Sequence, residues 1–311
     1  MKLNCKHLCH SLDLSLEELD YLFNLAKEMK KNPAKYSNSL AGHILGTLFF
    51  EPSTRTRLSF ESAMLRLGGQ VLGFSDSDQS SAKKGEGLWD TVRVMDGYCD
   101  IMVIRHPKEG SSLLASEYSQ VPVINGGDGG HQHPTQTLTD LFTIVTEKGS
   151  LENKNFAFVG DLKHGRTVHS TLLALARYKG NKFTLISPSE LKIPAYLREQ
   201  LTKMGAEFEE STDLKSAISD ADVLYSTRIQ KERFFNEEDY LKLKDNYIIN
   251  NCVLSHGKED MLVLHPLPRV NEISIEVDSD PRAGFFRQAK LGVYIRMALI
   301  HTLIKGGQTN A

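Results

Sequence analysis

Residues 43–69 read HILGTLFFEPSTRTRLSFESAMLRLGG, and the way this stretch divides decides the fold. His43–Phe50 has the length and apolar content of a buried strand. Ser53 stands where a helix N-cap belongs, and Phe60, Ala63, Met64 and Leu67 keep the spacing of one apolar helical face. Gly68-Gly69 is a helix stop. The charges in this turn fit less simply. Arg55 and Arg57 fall in the first helical turn, where the helix dipole already concentrates positive charge. Cations there cost stability unless an anion answers them. Either the arginines point out to solvent, or this turn binds something negative.

Outward from the turn, the same alternation repeats. A helix near 15–30 precedes it, and strand Val71–Phe74 follows it. After a polar loop come a helix near 88–98, strand Ile101–Arg105, a helix near 111–118, strand Val121–Asn125 and a helix from Thr135 to about Glu147. The pattern restarts after Lys148-Gly149-Ser150: strand Asn155–Val159, a helix near 167–178, strand Lys182–Ile186, a helix near 190–204, strand Glu207–Glu209, a helix near 213–219 and strand Asp222–Ser226. Tyr247–Asn250 and Met261–Leu264 read as further strands, and Phe285–Ile304 as a last amphipathic helix. Strand–helix alternation predicts parallel sheets covered on both faces. The expected fold class is therefore α/β, with two doubly wound parallel-sheet domains. The expected division is 1–149, with a C-terminal helix over 285–305 packing back on it, and 150–284.

The bulk properties exclude several classes. At 311 residues, 40% of them hydrophobic, the chain can bury two cores. A net charge of −2 and a pI near 6.6 supply no global basic field for nucleic acid or an anionic membrane. No apolar run approaches the roughly 20 residues of a membrane span, and the N-terminus lacks the apolar core of a signal peptide, so a cytoplasmic location is expected. The four cysteines include no CxxC pair and are expected to stay reduced. Neither the run Cys5-Lys6-His7-Leu8-Cys9-His10 nor His131-x-His133 has a standard zinc spacing with a completing ligand set, so no metal is expected. Motifs of the dinucleotide-binding, P-loop and α/β-hydrolase kinds are missing.

The polar chemistry collects after strand ends. Ile101–Ile104 runs into Arg105-His106-Pro107, and Val121–Asn125 into a Gly-rich loop ending His131-Gln132-His133-Pro134. Asn155–Val159 runs into GDLKHGR ending at Arg166, Asp222–Ser226 into Thr227-Arg228-Ile229-Gln230, and Met261–Leu264 into His265-Pro266-Leu267-Pro268-Arg269. In open α/β sheets ligands bind beyond the carboxyl ends of the strands. The expectation is one Arg-rich crevice between the domains, suited to substrates with several negative charges.

These residues resemble the aspartate/ornithine transcarbamylase family nearly end to end. The motifs are FFEPSTRTRLSFESA, KKGE, RHPKEG, HPTQTLTDL, VGDLKHGRTVHS, TRIQKER and VLHPLPRVNEI. The resemblance is to the aspartate branch: HPTQ and HPLP stand where ornithine enzymes typically carry HPCQ and HCLP. It implies transfer of a carbamoyl group from carbamoyl phosphate to L-aspartate without a cofactor. Ser53, Thr54, Arg55 and Thr56 would hold phosphate, and Thr56, Arg105 and His133 would polarise the carbonyl oxygen. Gln136 and the backbone of Pro266 and Leu267 would orient the carbamoyl NH₂. Arg166, Arg228 and Gln230 would bind aspartate. Lys84 and either Ser80 or Ser81 would enter a neighbouring subunit's site, making a homotrimer, to which regulatory chains attach in part of the family. Arg57 inherits no role and is expected to pair with Glu51 or Glu61. The rival readings are a transcarbamylase for another amine such as ornithine, and a two-domain anion binder without chemistry.

Overall fold

The computed structural model describes residues 2–76, 84–230, 238 and 247–307. In chain order its elements are α1 (Leu16–Lys31), α2 (Pro33–Tyr36), β1 (Ile44–Phe49), α3 (Thr54–Arg66), β2 (Gln70–Phe74), α4 (Leu88–Asp96), β3 (Ile101–His106), α5 (Ser111–Tyr118), β4 (Val123–Asp128) and α6 (Pro134–Lys148). There follow β5 (Asn155–Val159), α7 (Arg166–Leu175), β6 (Lys182–Ile186), α8 (Ala195–Lys203), β7 (Glu207–Ser211), α9 (Leu214–Ala217), β8 (Val223–Ser226), α10 (Asn251–Leu254), β9 (Leu262–Leu264) and α11 (Phe285–Gly307). The chain forms two compact units, Met1–Phe142 with Lys290–Ala311, and Thr143–Ala289. It passes from one to the other within α6 and returns within α11.

The first unit carries a four-stranded parallel sheet in the order β2-β1-β3-β4. Its central strands, β1 and β3, are nearly continuous apolar runs, as strands covered on both faces require. Leu48, Met102, Ile104 and Val123 pack with Val92 of α4 and Ala115 of α5. The C-terminal helix belongs to this unit. Its Arg296 guanidinium lies over the Phe60 ring of α3 at 5.1 Å and donates to Thr139 Oγ1 at 3.1 Å. Burial pushes the Arg296 pKa down to about 10 against the opposing pull of Asp140.

The second unit carries a five-stranded parallel sheet in the order β7-β6-β5-β8-β9. Ala157, Val159, Leu224 and Val263 pack with Ile218, Leu254 and Phe285 on one face. Two expectations fail here. The helix expected near 190–204 is a short 3₁₀ turn, Ser189–Leu191, and then α8, because Pro194 interrupts the backbone hydrogen bonding between them. Tyr247–Asn250 is not a strand: Ile249 makes a single parallel bridge to Ile273.

Candidate active site

In the first unit the predicted residues gather at the carboxyl ends of neighbouring strands. Phe49 of β1 is in register with Arg105 of β3, and His106 of β3 with Asp128 of β4. The Phe50 N–H donates to the Arg105 carbonyl at 2.8 Å, so the turn into α3 is tied to the end of β3. Ser53 is the residue before α3, but its side chain makes no capping hydrogen bond, and no acidic residue stands in the first turn. The first amides of the helix therefore keep their donor capacity and their partial positive charge.

Two guanidiniums face this turn. Arg105 donates from Nη2 to Glu51 Oε1 at 2.7 Å and from Nη1 to the Gly126 carbonyl at 3.3 Å. Its Nε is buried and has no hydrogen-bond partner among the described residues. Burial lowers the Arg105 pKa, partly offset by Glu51. Partial desolvation and the nearby charge of Arg105 likewise lower that of Arg55. Between the two partners foreseen for Arg57, the structure selects Glu61, one helical turn on, at 3.4 Å; Glu51 is taken by Arg105. Thr56 is buried in the same first turn.

His133 is buried just before α6, and its carbonyl accepts the N–H groups of Gln136 and Thr137. Gln136 Nε2 donates to Asp140 Oδ1 at 2.7 Å. The loop carrying His133 is anchored by Asp128, which accepts from Gly110 N, Asn125 Nδ2 and Gln132 N at 2.8–3.0 Å. His131 pairs with Asp128 at 3.2 Å, and the described residues contain no group of three metal-ligating side chains. Lys84 is exposed ahead of α4, while Ser80 and Ser81 lie outside the described residues.

In the second unit the three predicted segments follow the adjacent strands β5, β8 and β9. Gly160 has φ +120°, and a Cβ there would stand 2.0 Å from the Thr227 carbonyl oxygen. Only glycine lets the loop leading to Arg166 pass this close to the segment carrying Arg228 and Gln230. Arg166 opens α7, and its N–H donates to the His164 carbonyl at 3.0 Å. After β9, Leu267 takes φ +57° and precedes a cis proline. Its N–H donates to His265 Nδ1 at 2.8 Å, and His265 Nε2 contacts Glu272 Oε1 at 2.8 Å. Arg269 is drawn aside into a pair with Asp278.

Pattern reading missed the anchors: Asn125, Asp128, His265 and Glu272. For the first three the only sequence signal was polarity at a strand end, which surface residues share; Glu272, well beyond β9, had none.

Fold and sites together define a class: two parallel α/β units with arginines standing after the strand ends. The family models "Aspartate/ornithine carbamoyltransferase, carbamoyl-P binding domain" and "Asp/Orn binding domain" match residues 6–146 and 152–303. The chain belongs to the aspartate/ornithine carbamoyltransferase family. It is 60% identical to the aspartate carbamoyltransferase catalytic subunit of Alkaliphilus metalliredigens, over 96% of this chain and 97% of that one. The catalytic subunit of M. jannaschii aspartate transcarbamoylase superposes with a TM-score of 0.92 at 47% identity, covering 98% of this chain and 100% of that one. The Trypanosoma cruzi enzyme in complex with carbamoyl phosphate and aspartate gives 0.89 at 37% identity, covering 96% of each.

Proposed function

We propose that this chain transfers the carbamoyl group of carbamoyl phosphate to the α-amino group of L-aspartate, giving N-carbamoyl-L-aspartate and phosphate. The observation that carries the reading is the buried Arg105 Nε–H, which meets no acceptor among the described residues and has two further donors close by, Arg55 and the uncapped start of α3. A buried cationic donor in such surroundings suits an anionic acceptor. The names of the relatives favour aspartate over ornithine.

Phosphate is held by Ser53, Thr54, Arg55 and Thr56 at the helix N-terminus, where amides and dipole favour it. Arg105 bridges phosphate and carbonyl oxygen. With Thr56 and His133 it stabilises the negative charge that develops on that oxygen. Gln136 and the Pro266 and Leu267 carbonyls orient the carbamoyl NH₂. Arg166, Arg228 and Gln230 receive the two carboxylates of aspartate. The amine lone pair forms the new C–N bond, and the oxyanion then expels phosphate, which takes the amine proton. Positioning and electrostatics suffice because carbamoyl phosphate is already activated, so no cofactor or metal is invoked.

The carbamoyl-phosphate domain is assigned to 1–149 with 285–305, and the aspartate domain to 150–284. Lys84 and one of Ser80 and Ser81 complete the site of a neighbouring subunit in a homotrimer, which is a candidate for assembly with regulatory chains. The reaction would be the committed step of pyrimidine biosynthesis, in the cytoplasm. Phosphate release from carbamoyl phosphate, measured with aspartate and then with ornithine, tests the reading. Turnover should require aspartate; faster release with ornithine, or none with either, would overturn it.

A further inference from the structure

His169 lies one turn into α7 from Arg166, is buried, and uses both ring nitrogens. Nε2 meets the Leu162 carbonyl at 2.8 Å, so it carries the proton and donates. Nδ1 then accepts from the Tyr196 hydroxyl of α8 at 2.9 Å. Leu162 sits inside the loop between β5 and Arg166, with its side chain fully buried. Its N–H donates to the Leu191 carbonyl at 3.1 Å, so both backbone polar groups of Leu162 are taken. Asp161, also fully buried, holds the rest of the loop by accepting the His164 N–H at 2.9 Å. The loop therefore reaches α7 with its base fixed from two sides, one of them the bond from His169 to the Leu162 carbonyl.

We infer that His169, oriented by Tyr196, is a positioning residue for aspartate. By fixing the Leu162 peptide it fixes the start of α7, and with it the direction in which Arg166 presents its guanidinium to a substrate carboxylate. The inference rests on the assignment of Arg166 to aspartate. A histidine that merely fills the core would affect stability without choosing between the substrates.

Steady-state kinetics of Tyr196→Phe, His169→Gln and His169→Ala separate the cases. Losing one hydrogen bond of about 1 kcal/mol corresponds to roughly fivefold, so Tyr196→Phe should raise the KM for aspartate about threefold to fivefold and His169→Ala about tenfold or more. The KM for carbamoyl phosphate should move less than about twofold, and His169→Gln, whose amide can still donate to Leu162, should recover part of the loss. Amide exchange at residues 162–166, followed without substrate, should accelerate in Tyr196→Phe. Equal changes in both KM values, or an unchanged aspartate KM in folded Tyr196→Phe, overturn the inference; if His169→Ala does not fold, Tyr196→Phe decides alone. Should the wild-type protein show no aspartate-dependent turnover, the proposed function fails. Exchange then judges the clamp separately: unaltered exchange in Tyr196→Phe overturns it too.

Discussion

Replacing Glu272 by glutamine should be far more damaging than its near-identical shape suggests. The polar chain here runs in one direction. Leu267 N–H donates to His265 Nδ1 at 2.8 Å, which leaves the His265 proton on Nε2 to donate to Glu272 Oε1 at 2.8 Å. Glu272 Oε2 accepts the N–H groups of Val270 and Asn271, each at 3.1 Å. The carboxylate thus receives three donors and gives none, and both His265 and Glu272 are at most 5% exposed. A glutamine offers one oxygen and one NH₂. Either orientation sets the NH₂ against a donor, and switching the His265 tautomer only moves the conflict to Leu267 N–H. One buried donor left unsatisfied costs about 1–3 kcal/mol, so the expected loss is about 2–3 kcal/mol, or about 4–12 °C in Tm for a domain of this size. The pH dependence carries a second signature. Burial pushes the Glu272 pKa up, but the hydrogen bond from His265 and the backbone N–H groups outweigh it, so the net shift is downward. A carboxylate held below its ordinary value contributes stability above that value and loses it as pH falls through the lower, folded one. The glutamine variant should lack that acid limb. Scanning calorimetry at pH 7 and at acid pH measures both effects. A variant within about 0.5 kcal/mol of wild type at neutral pH would refute the donor–acceptor assignment.

Arg105→Ala should lower kcat by about 10²–10³ in a phosphate-release assay, the cost of one lost oxyanion donor. Arg57→Ala should leave both KM values unchanged and cost no more than about 0.5 kcal/mol in urea unfolding, because it removes only an i,i+4 pair with Glu61. Burial first, then the Lys6 charge, lowers the His7 pKa from 6.5 to about 4, while Asp96 opposes. Between those values the unfolded chain binds the extra proton, so stability should fall as pH drops through this window. His7→Asn, which keeps an acceptor for the Val123 N–H that now donates at 3.1 Å, should flatten that part of the stability–pH curve.

Strands were readable wherever burial made them continuous apolar runs, as in Ile101–Ile104 and Asn155–Val159, and α3 was readable from its apolar spacing. The arginines were readable because they stand after strand ends, where the topology of parallel sheets places ligands. What escaped was direction and pairing. Nothing local told whether Glu51 would serve Arg57 or Arg105; that choice depends on β1 and β3 lying side by side. His265 and His169 looked alike as isolated polar letters, yet one binds a glutamate seven residues on and the other a tyrosine on a different helix. The break before α8 was marked by Pro194, whose effect a periodicity count smooths over. Tyr247–Asn250 had strand-like composition, but its neighbours allow only the single bridge from Ile249 to Ile273.

The return of α11 to the first unit has a consequence for synthesis. Phe60 and Thr139 are made early, but Arg296, which packs on one and bonds the other, emerges only after the entire second unit. On a ribosome the second unit is complete in sequence first, although it starts later. The first unit must wait with the surface around Phe60 uncovered, and it acquires its full cooperativity only when α11 arrives. Shortening the chain ahead of Lys290 would therefore injure the early-made half of the molecule and leave the later-made half nearly whole.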